Sequence, residues 1–154
     1  MTVIYVDMCG DIFHYGHVNF LRKCHSICDN VVVALNTDEF ISQYKSRSIL
    51  TYKEREHSLL ECKYVSKVVP NVFGQDSKPT ILSVNPDIIA IGDDWCHKDY
   101  YSQMNFTQQW LDDNDITLAP NDSKSLHICL PIPREPPVTN AVLPLKSNFI
   151  LCSV

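Results

Sequence analysis

Short runs of β-branched and aliphatic residues alternate along this chain with stretches whose apolar positions recur every three or four residues. TVIYV at 2–6 has the unbroken apolar character of a buried strand. From Gly16 to about Cys28, the residues Val18, Leu21, Cys24 and Cys28 fall at helical spacing. NVVVALN at 30–36 predicts a second strand. TDEF then opens a helix, with Thr37 as N-cap and acidic residues in the first turn, where the helix dipole favours them. TYKEREHSLLECKYV at 51–65 predicts another helix, capped by Thr51 and closed into a capping box by Glu54, with Leu59, Leu60 and Cys62 as its apolar positions. SKVVP at 66–70 and PDIIAIG at 86–92 read as strands, PTILSVN between them as a short helix, and DYYSQMNFTQQWLDD at 99–113 as a longer one.

Strand and helix in alternation predict an α/β fold: a Rossmann-like three-layer sandwich with a mostly parallel central sheet and right-handed crossovers. The alternation lapses after about Asp112, where LHICLPI at 126–132 is the one good strand. Four prolines between 133 and 144 then exclude a long regular helix. The expected organisation is a core domain over 1–132 with a proline-rich extension of the same domain over 133–154.

Composition narrows the partners. A chain of 154 residues, 45% hydrophobic and 20% charged, has the size and balance of one globular domain. Its net charge of −5 argues against broad nucleic-acid binding, although a small basic pocket for phosphate remains compatible with it. The opening MTVIYVDMCGD lacks a signal-peptide pattern, and no apolar run approaches the ~18 residues of a membrane span. The apolar tail NFILCSV is short, and Cys152 sits one position too late for a prenylation box. Seven scattered cysteines read as reduced thiols of a cytoplasmic protein, which leaves the sequons at Asn105 and Asn121 without meaning.

The chemistry concentrates in DMCGDIFHYGHVNFLRKC, at 7–24. In an open parallel sheet, ligands bind beyond the carboxyl ends of the strands, and this segment follows the first strand directly. A helix starting at about Tyr15–His17 offers unbonded N–H groups and a positive dipole end to an anion. Gly16 allows backbone and ligand to approach closely, and His14 and His17 can donate from their ring nitrogens to phosphate oxygens. Such a set suits phosphoryl or nucleotidyl transfer, where catalysis is mostly positioning and electrostatics. Two histidines in one loop are also compatible with a purely structural role. Cys9, His14, His17, Cys24, His25 and Cys28 are zinc-competent types, but their spacing matches no standard closed zinc site, and no metal ligands are assigned.

CGDIFHYGHVNFLRKC resembles the HxGH signature of the nucleotidyltransferase superfamily, and within it the cytidylyltransferases that make CDP-alcohols from glycerol 3-phosphate, phosphoethanolamine or phosphocholine. NTDEF (36–40), KSRSILTYKER (45–55), CKYVSKVVP (62–70) and IGDDW (91–95) match further family segments in order, so the likeness covers roughly residues 2–98. The resemblance implies that His14 and His17 contact the CTP phosphates and stabilise the pentacoordinate transition state. It places Cys9, Gly10 and Asp11 in the loop by the triphosphate and Lys45 near the reacting centre, with Arg47 as its helper towards the substrate. Arg55 would hold its loop or a phosphate. Asp94 would lie near the nucleotide or the alcohol, with Trp95 packing behind it. Read from composition alone, Lys45 and Arg47 are a solvated basic patch, Arg55 an exposed helix residue paired with a neighbouring glutamate, and Asp93–Asp94 a helix cap.

The pattern departs from the family at three points. Met8 stands where the family's loop begins with glycine. A family lysine expected on the alcohol phosphate has its nearest candidate in Lys78, one position away. The closing R-T-x-G segment that grips CTP has REPPVTNA (134–141) as its counterpart, which keeps Arg134 and Thr139 but puts Pro137 in place of the glycine and loses the hydroxyl-rich end.

The resemblance implies transfer of CMP from CTP to a small phosphorylated alcohol, with Mg²⁺ on the triphosphate and a homodimer built through KYVSKVVP. IGDDW favours glycerol 3-phosphate; HYGH and the context of Lys45 lean toward the ethanolamine branch. A weak or inactive nucleotide-binding homologue with a regulatory or scaffold role is the alternative, and an ATP-using nucleotidyltransferase a third.

Overall fold

In the computed structural model, the described residues are 1–44, 48–92 and 100–119. Five strands form one sheet in the order β3-β2-β1-β4-β5: β1 Ile4–Met8, β2 Val31–Asn36, β3 Lys67–Asn71, β4 Ile88–Ala90 and β5 Thr117–Ala119. Every pairing is parallel, with Ile4 opposite both Val31 and Ile88. The α/β sandwich read from the sequence is therefore the fold, and all the strands end on one edge.

Parallel strands covered on both faces need apolar side chains in both directions, which explains the unbroken run VVVAL in β2. Ile4, Val6, Met8, Val33 and Leu35 pack with Leu21 and Cys24 of helix α1 (Tyr15–Ile27) and Leu59 of α3 (Tyr52–Leu60). On the opposite face, Tyr5, Ala34 and Ile89 meet Ile81 of α4 (Lys78–Val84), Tyr100 and Met104 of α5 (Tyr100–Met104) and Leu111 of α6 (Gln108–Asp113). Helix α2 (Asp38–Tyr44) buries Phe40 and Ile41. Among the described residues, no helix is long and apolar enough to cross a membrane.

Both anticipated caps form. The Thr37 hydroxyl accepts from the Phe40 N–H at 3.2 Å, and Thr51 and Glu54 close a reciprocal box at the start of α3. Three boundaries differ from the pattern reading. The predicted helix at 51–65 stops at Leu60, where the Cys62 N–H turns back to the Leu59 carbonyl. The helix expected over 99–113 is broken: Asn105 takes a φ of 56°, and Thr107 caps a fresh helix by accepting from the Trp110 N–H. The alternation also continues past Asp112, because the three residues of β5 pair with β4, too short and too mixed in polarity to stand out as a strand. The predicted strand at 126–132 and the extension at 133–154 lie outside the described residues.

Candidate active site

At the end of β1, the chain must turn from the sheet into α1 within six residues. Met8 directs its side chain into the core beside Leu35 and Leu59, so the methionine that replaces the family's glycine lies beneath the loop. The left-handed conformation falls instead on Gly10, at φ +62°, where a Cβ would come within 3.1 Å of Leu35 Cδ1. Only glycine meets both conditions.

Two side chains clasp this loop to the rest of the edge. Asp11 Oδ1 accepts from the backbone N–H groups of Ile49 (2.7 Å) and Leu50 (3.1 Å), tying the loop to the approach to α3. Arg55, on α3, is fully buried. Its Nη1 donates to the carbonyls of Cys9 (2.6 Å) and Asn36 (2.8 Å), its Nε to the Leu50 carbonyl (3.2 Å) and its Nη2 to Asp38 Oδ1 (2.7 Å). The exposed, glutamate-paired reading of Arg55 is thereby corrected: its carboxylate partner is Asp38, and backbone carbonyls take its other bonds. Of the two roles implied by resemblance, this geometry is that of the loop holder; the guanidinium faces backbone.

The two histidines cap the helix together. His14 is the N-cap of α1, and its Nδ1 accepts from the Gly16 N–H at 3.1 Å. His17, three residues on, accepts the His14 N–H on its own Nδ1 at 3.3 Å. This is a capping box built from imidazoles, with ring centroids 4.1 Å apart and Phe13 stacked on His17 at 5.8 Å. A neutral imidazole that accepts on Nδ1 carries its proton on Nε2. Both rings are thus set, by hydrogen bonds assigned from the geometry, as Nε2–H donors at the mouth of a 13-residue helix. Gly16 contributes its N–H to the cap.

Below the loop lies a polar network that the sequence pattern does not reveal. Asp7 Oδ1 accepts from the Tyr5 hydroxyl (3.3 Å) and the Asn71 amide (3.1 Å); the same amide lies 3.2 Å from Asn36 Oδ1. Asp7 Oδ2 is sealed from solvent and has no hydrogen-bond partner within ordinary distance, although the residue as a whole keeps some exposure. Burial pushes the Asp7 carboxyl up to about 7, against which its hydrogen bonds act only partly. The Asn36 amide donates to the Tyr44 hydroxyl at 3.1 Å, and that hydroxyl also faces Cys9. An aspartate inside an apolar strand was the available signal.

Lys78 opens α4 beyond β3, with its Nζ 3.8 Å from Asp76. Lys45, Arg47, Asp94, Trp95, Arg134 and Thr139 lie outside the described residues.

A model of the cytidylyltransferase-like family matches residues 9–137, most of the chain. The chain belongs to the cytidylyltransferase-like family. A glycerol-3-phosphate cytidylyltransferase of Bacillus subtilis is 34% identical over 85 residues, which are 55% of this chain and 66% of that protein. An ethanolamine-phosphate cytidylyltransferase of Dictyostelium discoideum is 32% identical over 91 residues, 59% of this chain and 25% of that protein. The chain thus spans somewhat less than two thirds of the first relative and a quarter of the second. Among solved structures, a lipopolysaccharide core biosynthesis protein from Thermoplasma volcanium superposes with a TM-score of 0.64 at 25% identity, covering 77% of this chain and 92% of that one.

Proposed function

We propose that this chain transfers CMP from CTP to a small phosphorylated alcohol. A phosphate oxygen of the acceptor forms a bond to the α-phosphorus as the bond to the β-phosphate oxygen breaks, and pyrophosphate leaves with the electron pair. An ionised phosphate is already a nucleophile, so the chemistry asks the protein for alignment and charge stabilisation. The observation that carries the reading is the reciprocal imidazole cap: with His17 bracing the His14 backbone, it presets the His14 Nε2–H as a donor, together with a helix dipole, where the β1 loop would receive a polyphosphate.

Cys9, Gly10 and Asp11 form the loop proposed to face the triphosphate, Gly16 in the first turn of α1 is proposed beside it, and Arg55 positions the loop. Lys45, Asp94, Arg134 and Thr139 are proposed as further nucleotide contacts, and Arg47, Lys78 and Trp95 as contacts to the acceptor; glycerol 3-phosphate is the favoured acceptor on sequence. Mg²⁺ is proposed to enter with CTP and to neutralise charge on the departing pyrophosphate. Asp11 is already engaged by two backbone N–H groups, and among the described residues no three His, Cys, Asp or Glu side chains converge. This donor set fits an ion held chiefly by phosphate oxygens and water. The proposed compartment is the cytoplasm, in keeping with Cys24, Cys28 and Cys62 as thiols.

Incubation with labelled CTP, Mg²⁺ and glycerol 3-phosphate or phosphoethanolamine is expected to give a CDP-alcohol and pyrophosphate. His14→Asn separates the two roles of His14. Asparagine is a strong N-cap residue and keeps an acceptor for the helix, so the thermal midpoint should hold. Loss of the Nε2–H donor should lower kcat about 100-fold; unchanged turnover in the Asn variant would leave His14 a cap only. Tight CTP binding with no product from any acceptor would instead establish the inactive homologue, the reading favoured by the two prolines at 136–137.

The proposed homodimer rests on KYVSKVVP, whose strand β3 is the sheet's edge and carries Pro70, a residue that edge strands tolerate. Light scattering at micromolar concentration is expected to give twice the chain mass; a monomer throughout would retire it.

A further inference from the structure

A cleft of about 590 Å³ opens at the same edge of the sheet, between α2, the loop that follows β3, and α5. Gln43, Gln75, Asp76, Ser102 and Asn105 line it, with the exposed ring of Phe73. The cleft and the histidine loop share one hydrogen-bonded floor. Asn71, from which the lining loop departs, holds Asp7 and Asn36. Gln43 precedes Tyr44, whose hydroxyl is bound by Asn36 and faces Cys9. Gly74, at φ +64°, turns the loop against α2, within van der Waals reach of Gln43 and Phe40.

The lining chemistry is selective. The side-chain amides of Gln43, Gln75 and Asn105 each combine a donor with an acceptor, as does the Ser102 hydroxyl, and sugar hydroxyls have the same double character. An ammonium group would need a carboxylate. Asp76 is the one carboxylate among the described residues of this lining, and the Lys78 ammonium already lies 3.8 Å from its Oδ1, which also accepts the Lys78 N–H at 3.3 Å, so a second cation there meets like charge; the Asp7 Oδ2 below is sealed. Volume points the same way: about 590 Å³ lies within the roughly 300–1,000 Å³ that holds a drug-sized molecule, more than a three-carbon phosphate fills.

We infer that this cleft receives the non-reacting end of the acceptor, and that the acceptor is a sugar-sized polyhydroxylated phosphate, favoured over an amino alcohol phosphate and, against the preference drawn from the sequence, over glycerol 3-phosphate. The inference rests on the CMP-transfer reading. The acceptor's phosphate oxygen bonds to the α-phosphorus of CTP and pyrophosphate departs, while the hydroxylated chain lies among the amides.

The test is pyrophosphate release from CTP and Mg²⁺ with four acceptors: glycerol 3-phosphate, phosphoethanolamine, sorbitol 6-phosphate and glucose 1-phosphate. One of the two larger acceptors should show at least about tenfold higher kcat/KM than phosphoethanolamine and glycerol 3-phosphate, in keeping with the discrimination that matched hydroxyl contacts give. Ser102→Phe, which fills the cleft from an exposed position, and Gln75→Ala should raise KM for that acceptor about tenfold while KM for CTP and the thermal midpoint hold. Preference for either small acceptor, or an acceptor KM indifferent to both variants, overturns the cleft assignment and leaves CMP transfer standing. Absence of pyrophosphate release with every acceptor overturns CMP transfer and the cleft assignment together.

Discussion

Arg55→Ala is expected to lower unfolding stability by about 3–5 kcal/mol, a large share of the roughly 5–15 kcal/mol that holds a domain of this size. The ion pair with Asp38 is the lesser part, because the Asp38 side chain is 42% exposed and solvent screens it. The greater part is what the guanidinium leaves behind: the carbonyls of Cys9, Asn36 and Leu50 lose their donor, at about 1–3 kcal/mol each where water cannot replace it, and a fully buried side chain leaves a cavity. Arg55→Lys should recover only part, since one ammonium cannot span four acceptors arranged around a planar fork. Asp38→Asn should cost less, about 1–2 kcal/mol: the one amide oxygen can serve Arg55 Nη2 or the Tyr52 N–H, which Asp38 Oδ2 accepts at 3.0 Å, but not both. Urea titrations of the three variants give the ordering. If Asp38→Asn costs as much as Arg55→Ala, Asp38, through Arg55 and the Tyr52 N–H together, is the anchor and the carbonyl contacts are secondary. In Arg55→Ala, CTP should also raise the thermal midpoint much less, because the histidine loop keeps only the Asp11 clasp and loses the side chain that ties it to β2 and to α3 itself.

The parts of the fold that could be read in the sequence are those set by local rules. Buried parallel strands have continuous apolar runs, and the Thr51–Glu54 box is a pattern within four residues. Where tertiary contacts decide, the pattern is silent. TLA in β5 becomes a strand only because β4 lies beside it, and α5 ends at Asn105 because the chain turns through positive φ there. At the site, the residue types at 9–17 were legible and their bonding was not. Nothing in YKEREH distinguishes Arg55 from its exposed neighbours, since its acceptors come from residues 5, 17, 19 and 46 positions away. Met8 stands out as a departure from the family's glycine only in a motif comparison; strand alternation, which turns its side chain into the core, operates below that level.

Asp7→Asn should remove a pH dependence of stability that the unaltered protein shows between about pH 4 and 7. In the folded state, burial holds the proton on Asp7 up to about pH 7, whereas an unfolded aspartate releases it near 3.8. Across that window the folded protein binds more protons than the unfolded chain, so stability is full below about pH 4 and falls as pH rises to 7. A displacement of about three pH units corresponds to a loss on the order of 4 kcal/mol at and above neutrality. The groups around the carboxyl do not reverse the direction. Tyr5 from the same strand and Tyr100 from α5 are themselves pushed upward by burial and stay neutral, and Asn71 from β3 carries no charge. Asp38 and Glu54, whose carboxyls are held below their usual range, act oppositely at lower pH, but both are present in the variant and cancel in the difference. Urea unfolding of both proteins from pH 4 to 8 should therefore show curves that diverge steadily up to pH 7 and run parallel above it, with the Asn variant gaining. Curves parallel throughout would mean that Asp7 ionises like an exposed carboxylate. The network joining it to Asn71, Asn36 and Tyr44 would then stand on a charged group, and the floor shared by the histidine loop and the cleft would be tightest, not weakest, at neutral pH.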